Sequence, residues 1–134
     1  MLIAHVIGHT GCQKCTLLNR RLDAILQEEP YKSTFRKIYH DTEDPRHECY
    51  RIDALVFFCR CGCINPNRIP AMILSNTYGT LLERPRPECT PLQGARLYQY
   101  FGLQTDYTNG GVITTAMIRE TLDEALAYLD SRIH

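Results

Sequence analysis

A change of hydrophobic period near the N-terminus constrains the fold more than any other feature of the chain. Leu2–Ile7 is a short apolar run of mostly branched residues that ends at Gly8, which is typical of a buried strand. From Cys12 onward the apolar residues recur at helical spacing on one face: Leu18, Leu22, Ile25 and Leu26. Pro30 ends this helix, and Phe35–Tyr39 alternates apolar and basic residues, as a half-exposed strand does. A strand, a helix and a strand in this order predict a parallel βαβ unit.

Three more elements are predicted in the middle of the chain. Asp44-Pro45 is expected to open a second helix, because proline is tolerated in a first helical turn. Ala71–Leu74 is an apolar strand that follows Ile69-Pro70, and Thr80–Glu83 is its predicted hairpin partner after a turn that contains Gly79. The element order to this point is β-α-β-α-β-β.

The last part of the chain is predicted to be an insertion followed by a helix. Residues 84–111 begin with several prolines and show no sustained period, so an insertion is expected around 84–111. Thr114 or Thr115 can cap the final helix. Its apolar stripe consists of Met117, Ile118, Leu122, Ala125, Leu126 and Leu129. At 134 residues, we expect residues 1–134 to form a single domain.

The composition narrows the classes of partner. Basic and acidic residues balance at 15 each and no long basic run occurs, so neither nucleic acid nor a membrane surface is an expected partner. The apolar start of the chain is too short for a signal peptide or a transmembrane span, and we therefore expect a cytoplasmic location. Seven cysteines are many for a compartment that keeps thiols reduced, so the function is to be sought among them.

The sequence Cys12-Gln13-Lys14-Cys15 lies where the first strand gives way to the first helix. Together with Ile69-Pro70 directly before the third strand, this arrangement resembles the thioredoxin and glutaredoxin superfamily. The resemblance implies a thioredoxin-like three-layer α/β/α fold with a mixed four-stranded sheet, ordered 2-1-3-4. It also implies that the chain is a thiol–disulfide oxidoreductase. The resemblance is good over residues 2–29, 35–39, 69–83 and 112–131.

Cys12 and Cys15 suit this chemistry because the thiolate is the reactive form of cysteine. At the first turn of a helix, Cys12 faces unpaired backbone N–H groups and the positive end of the helix dipole. Lys14 adds a positive charge, and His9 adds another when it is protonated. Because residues three apart share a helix face, Cys15 can attack a mixed disulfide on Cys12. We expect Cys12 to be the exposed attacking cysteine and Cys15 the more buried resolving one.

The resemblance also implies a substrate-binding edge. The Ile69–Pro70 peptide bond is expected to be cis and to lie against the two cysteines, with the backbone of Ile69 pairing with substrate. His9 lies near the position at which glutaredoxins carry a lysine for glutathione, which makes glutathione a candidate co-substrate. No resident cofactor is expected. The partners would be a disulfide-bearing protein or a small thiol substrate, and an electron donor that the sequence does not identify.

The remaining cysteines leave alternatives open: Cys49, Cys59, Cys61, Cys63 and Cys89. In one interpretation, Cys61 or Cys63 is a redox relay that exchanges disulfides with Cys12. In another, the thiolates of the 59–63 cluster and a fourth cysteine bind zinc, although C-x-C-x-C lacks the usual zinc-ligand spacing. In the third, some of them are small buried apolar side chains.

Two hypotheses from different classes follow. The first is dithiol–disulfide exchange at Cys12 and Cys15 on protein or small-molecule disulfides. The second is a non-enzymatic, cysteine-rich metal-binding or adaptor module on the same scaffold. The second is favoured by the 59–63 cluster, by the absence of tryptophan, and by Val6, which stands where thioredoxins carry a buried acid.

Overall fold

The computed structural model describes residues 1–9, 11–41, 70–84, 100–105 and 112–133, with the backbone alone at 131–133. The elements in chain order are β1 (Leu2–Gly8), α1 (Gln13–Ile25), α2 (Tyr31–Thr34), β2 (Phe35–Asp41), β3 (Ala71–Ser75), β4 (Gly102–Gln104) and α3 (Thr115–Ile133). Within these ranges, no helix is long and apolar enough to cross a membrane.

A four-stranded sheet in the order β2-β1-β3-β4 organises these elements. The central strand β1 pairs in parallel with β2, with Leu2 opposite Phe35 and Gly8 opposite Asp41. On its other side β1 pairs with β3, and β3 pairs with β4; both pairings are antiparallel. The predicted α/β class, the mixed sheet and the strand order 2-1-3-4 are confirmed.

The fourth strand is not the one that the sequence predicts. Among the described residues, the predicted hairpin partner Thr80–Glu83 makes two isolated bridges, from Leu81 to Ser75 and from Glu83 to Tyr100. The edge strand β4 instead comes from within the predicted insertion at 84–111. The backbone hydrogen bonds of Leu74 explain the difference. Its carbonyl accepts a hydrogen bond from the N–H of Leu82, whereas its own N–H donates to the carbonyl of Phe101. The segment after the turn therefore meets only the end of β3, and β4 takes the rest of that edge.

The core lies between one face of the sheet and the helices α1 and α3. Because side chains alternate along a strand, Leu2, Ala4 and Val6 of β1 share this face. The helices contribute the buried residues Leu18, Leu22, Ile25, Ile118, Leu122 and Ala125. The predicted cap of the last helix is confirmed at Thr114, whose Oγ1 accepts the Met117 N–H at 3.2 Å.

The opposite face of β1 carries Ile3, His5 and Ile7. Ile3 and Ile7 are buried, as are Ala71, Ile73 and Ser75 of the neighbouring strand β3. The helix predicted to open at Asp44-Pro45 would form a second helical layer. It lies outside the described residues, so the three-layer arrangement stays a prediction.

Candidate functional site

The junction between β1 and α1 places Cys12 at the start of a helix. β1 ends at Gly8, the chain turns through Gly11 with a positive φ of 87°, and α1 begins at Gln13. Cys12 is the N-cap residue, with an extended backbone at φ −82° and ψ 113°. Its N–H bonds to the carbonyl of His9 at 3.3 Å, which holds the turn closed.

The Cys12 sulfur makes the hydrogen bond that defines a helix cap. Its Sγ accepts the backbone N–H of Cys15 at 3.1 Å, in the role that serine, threonine or aspartate oxygens usually have. A sulfur in this place lies at the positive end of the helix dipole and takes up one of the unpaired N–H groups of the first turn. The sulfur therefore lies where the local backbone dipoles present their positive ends.

Cys15 lies in a different environment from Cys12. Its side chain is only 1% exposed, whereas Cys12 is half-buried, and neither residue is in a disulfide. Burial raises the pKa of the Cys15 thiol to about 12, helped by a hydrogen bond to the Cys12 sulfur, although a backbone hydrogen bond from His9 acts the other way. The difference in exposure agrees with the expected order of an attacking and a resolving cysteine; the roles themselves stay predictions.

Gly8 makes this close arrangement of strand and helix sterically feasible. A Cβ atom added at Gly8 would lie 2.9 Å from both Cβ and Sγ of Cys15, closer than real Cβ contacts allow. The Cys15 side chain therefore packs directly on the backbone of β1. The sequence pattern marked Gly8 only as the end of a strand, and its contact with Cys15 was not predicted.

Tyr39 is a second site residue that the sequence pattern missed. It pairs with Val6 in the parallel register, and its hydroxyl oxygen lies 3.3 Å from the same ideal Cβ position of Gly8. Burial raises the pKa of Tyr39 to about 12, and the nearby Asp41, Cys15 and Cys12 add to the shift. The phenol therefore stays protonated throughout the physiological range. Alternation along β2 was the available signal, because it places Tyr39 on the face that carries Phe35.

Pro70 is the described part of the predicted substrate-binding edge. It is buried directly before β3, whose residue Ala71 lies opposite Ile7, so Pro70 reaches the same end of the sheet as Gly8. Its carbonyl accepts the N–H of Thr105 at 3.1 Å. Ile69 lies outside the described residues, and the isomer of the Ile69–Pro70 bond stays a prediction.

The other predicted site residues divide into two groups. His9 and Lys14 flank Cys12 in the turn and in α1, and both are half-buried. Cys49, Cys59, Cys61, Cys63 and Cys89 all lie outside the described ranges. In the part of the chain that the structure does describe, no three His, Cys, Asp or Glu side chains gather in a way that could hold a metal ion.

Compared with known proteins, the chain matched no family model, no curated protein and no solved structure. The chemistry of the site is therefore inferred from its own residues.

An open groove of about 390 Å³ runs beside the Cys12 turn along α1. Its described lining consists of Gly11, Gln13, Thr16, Leu17 and Arg20. Gly11 and Gln13 are the chain neighbours of Cys12, so the groove lies next to the start of α1. Arg20 gives the far end of this lining a positive charge.

A separate polar cluster lies on the opposite face of the sheet. His5 Nδ1 is 2.9 Å from His40 Nε2, and His5 Nε2 is 2.7 Å from Ser75 Oγ. Because the Ser75 hydroxyl donates to the carbonyl of Asn76 at 2.9 Å, we assign its oxygen as acceptor from His5. His40 then donates to Nδ1 of His5. Burial lowers the pKa of His5, and Arg36 lowers it further, so the neutral ring is favoured.

Proposed function

We propose that this protein is a thiol–disulfide oxidoreductase in which Cys12 attacks and Cys15 resolves. The observation that carries the proposal is the hydrogen bond from the Cys15 N–H to the Cys12 sulfur at the N-cap of α1. It places one cysteine sulfur at the positive end of the helix dipole, and the i, i+3 spacing holds a second thiol against it.

The reaction proceeds in two exchanges. The Cys12 thiolate attacks one sulfur of a disulfide R–S–S–R, forms Cys12–S–S–R and releases one thiolate, which is protonated to R–SH. Cys15 then attacks the Cys12 sulfur, the Cys12–Cys15 disulfide forms, and the second R–SH leaves. The substrate gains two electrons that the pair of cysteines loses. Thiols of the donor reverse both steps to reduce the pair.

The difference in burial supports this division of roles. Cys12 is half-buried rather than enclosed, so a disulfide from outside can reach its sulfur. Cys15 is shielded by the backbone of β1, so only a disulfide already attached to Cys12 comes within its reach.

We further propose that the fold is the thioredoxin-like one, with a second helical layer on the face of Ile3 and Ile7. The sheet order, the position of the two cysteines after β1 and the buried Pro70 before β3 support it. We place the reaction in a reducing compartment such as the cytoplasm, acting on protein or small disulfides. Glutathione is one candidate donor.

A redox titration of the Cys12–Cys15 pair tests the function. Protein is equilibrated in glutathione buffers of defined ratio, free thiols are trapped with an alkylating agent, and peptides are read by mass spectrometry. We expect a single two-electron transition in which Cys12 and Cys15 form a disulfide with each other. Cys12→Ser should reduce the rate of exchange with a small disulfide to the uncatalysed background, and Cys15→Ser should stop the reaction at the mixed disulfide. Full reductase activity in Cys12→Ser would rule out the proposal.

The same protein sample distinguishes the alternative hypothesis, a metal-binding module, from the proposed enzyme. Its cysteine cluster at 59–63 lies outside the described residues, so metal analysis of protein purified without chelator is the discriminating measurement. Stoichiometric zinc or iron that survives Cys12→Ser and Cys15→Ser, but is lost in Cys61→Ser, would favour the module. The proposed function predicts instead that the pair forms its disulfide in metal-free protein.

A further inference from the structure

The hydroxyl of Tyr39 and the sulfur of Cys15 approach the same point above Gly8. The sulfur lies 2.9 Å and the hydroxyl oxygen 3.3 Å from the position that a Cβ of Gly8 would occupy. The parallel register of β1 and β2 produces this convergence, because Tyr39 lies opposite Val6 and on the same face of the sheet, with 38% of its surface exposed. The phenol and the thiol therefore both border the space that the glycine leaves open.

The resolving step requires a negative charge on the Cys15 sulfur at this point. Cys15 reacts only as a thiolate, yet its burial disfavours the charged form. A hydrogen-bond donor beside the sulfur offsets that penalty, and a bond to a charged acceptor is about twice as strong as one between neutral groups. Tyr39 is suited to this task because its proton is firmly held. Asp41, two residues further along β2 on the same face, opposes ionisation of the phenol and so keeps the donor in place.

We propose that Tyr39 is a positioning residue whose hydroxyl donates a hydrogen bond to the Cys15 thiolate during the resolving step. The inference rests on the proposed function. The atoms balance without a net change at Tyr39: Cys15–SH and Cys12–S–S–R become the Cys12–Cys15 disulfide and R–SH. The proton of Cys15 ends on the released thiol, and the phenol keeps its own.

The test is a rapid-quench measurement of both exchanges with bis(2-hydroxyethyl) disulfide, a small neutral substrate. Samples are quenched in acid, and mass spectrometry of the peptides follows the mixed disulfide on Cys12 and the Cys12–Cys15 disulfide separately. In Tyr39→Phe, which keeps the ring and removes the hydroxyl, the first step should change by less than about twofold. The second step should slow by about 10-fold or more, as expected for loss of a hydrogen bond to a charged group. Its pH profile should move to higher pH.

Three controls separate a positioning role from a packing role. Tyr78→Phe makes the same change at a tyrosine that is 92% exposed and should leave both steps as in the wild type. The thermal midpoint of Tyr39→Phe should match the wild type within a few degrees. In a Cys15→Ala background, Tyr39→Phe should have no effect on formation of the Cys12 adduct.

The possible failures are distinguishable. A wild-type protein that forms no adduct at Cys12 would remove the proposed function and this inference together. A wild type with both steps, and a Tyr39→Phe variant whose second step and pH profile are unchanged, would overturn the role of Tyr39 alone. An effect of Tyr39→Phe on the first step in the Cys15→Ala background would assign the hydroxyl to Cys12 and also overturn the inference.

Discussion

The two faces of β1 carry polar groups in different places. On the face covered by α1 and α3, Leu2, Ala4 and Val6 are apolar members of the core, and Cys15 contacts the strand at Gly8, where the strand ends. On the other face, His5 lies in the middle of the strand and is hydrogen bonded on both ring nitrogens. One strand therefore has a site at its end and a closed polar network at its centre.

The difference follows from where hydrogen-bond partners are available. Within the helix-covered face, a polar side chain would be buried among apolar ones with no acceptor or donor, which is costly. At the end of β1 the backbone turns, and the first N–H groups of α1 are free to point at a sulfur. On the other face, neighbouring strands supply His40 and Ser75, so both ring nitrogens of His5 have hydrogen-bond partners. The cysteine pair therefore lies at the end of β1, whereas the histidine contacts lie at its centre.

The largest effect is expected from breaking the apolar part of the helix-covered face. Leu22→Ala removes a side chain that is fully buried between α1 and the sheet, and should lower the free energy of unfolding by about 2–5 kcal/mol. Chemical denaturation measures it. Leu17→Ala is the matched control, since it makes the same change on the half-buried side of α1 and should cost clearly less. Equal losses would mean that α1 does not pack as described.

Next in size is Gly8→Ala, which acts where the apolar face ends and the site begins. The added methyl would overlap Cβ and Sγ of Cys15, and we expect a loss of about 1–3 kcal/mol from overpacking. Because Cys15 is displaced, the mixed disulfide on Cys12 should also resolve more slowly per folded molecule. Chemical denaturation measures the loss of stability, and quenched exchange on the same preparation measures the rate of resolution. Unchanged stability and unchanged resolution would contradict the close approach of Cys15 to β1.

On the opposite face, Ser75→Ala should affect stability but leave the site unchanged. It leaves the Nε2–H of His5 without its acceptor, at a cost of about 1–2 kcal/mol, while the rate of disulfide exchange per folded molecule stays as in the wild type. Ser33→Ala, at an exposed serine, is the control and should change the free energy of unfolding by less than about 0.5 kcal/mol. A large drop in exchange rate in Ser75→Ala would show that the two faces are coupled.

The smallest effect concerns the acid dependence of stability. The pKa of His5 is lowered from 6.5 in the folded protein by burial and then by Arg36, so the unfolded chain binds this proton at a higher pH than the folded one. The stability that the neutral ring contributes is therefore fully present above about pH 6.5 and is lost as the pH falls below it. Denaturation between pH 7.5 and 5.5 should show this decline, and His5→Gln should flatten it. If the wild type and His5→Gln lose stability with falling pH at the same rate, His5 is not the cause of the pH dependence.

Local patterns in the sequence predicted the elements that form the centre of the molecule. The short apolar run became β1, the helical stripe from Leu18 to Ile25 became α1, and Cys12 and Cys15 lie where the C-x-x-C spacing suggested. These predictions succeed because strand and helix periods are properties of neighbouring residues. The helix α1 ends at Ile25 rather than running on towards Pro30, and the short α2 was not predicted.

What the sequence pattern missed depends on contacts between distant residues. The edge strand was assigned to Thr80–Glu83 because a hairpin is the nearest solution, yet Gly102–Gln104 takes that edge. Tyr39 was counted only as part of a half-exposed strand, since its approach to Cys15 requires the parallel register with Val6. His5 is the one polar residue of the run Leu2–Ile7, and its partners come from the two strands that pair with β1.

The bridge between Glu83 and Tyr100 has a consequence for how the chain tolerates change. The backbone leaves the sheet and returns to it at paired positions, so the connection between them is a closed loop in the polymer sense. The entropy of closing such a loop rises only with the logarithm of its length, about 0.6 kcal/mol for each doubling. The loop-closure cost of bringing Glu83 and Tyr100 together therefore depends only weakly on how many residues separate them along the chain.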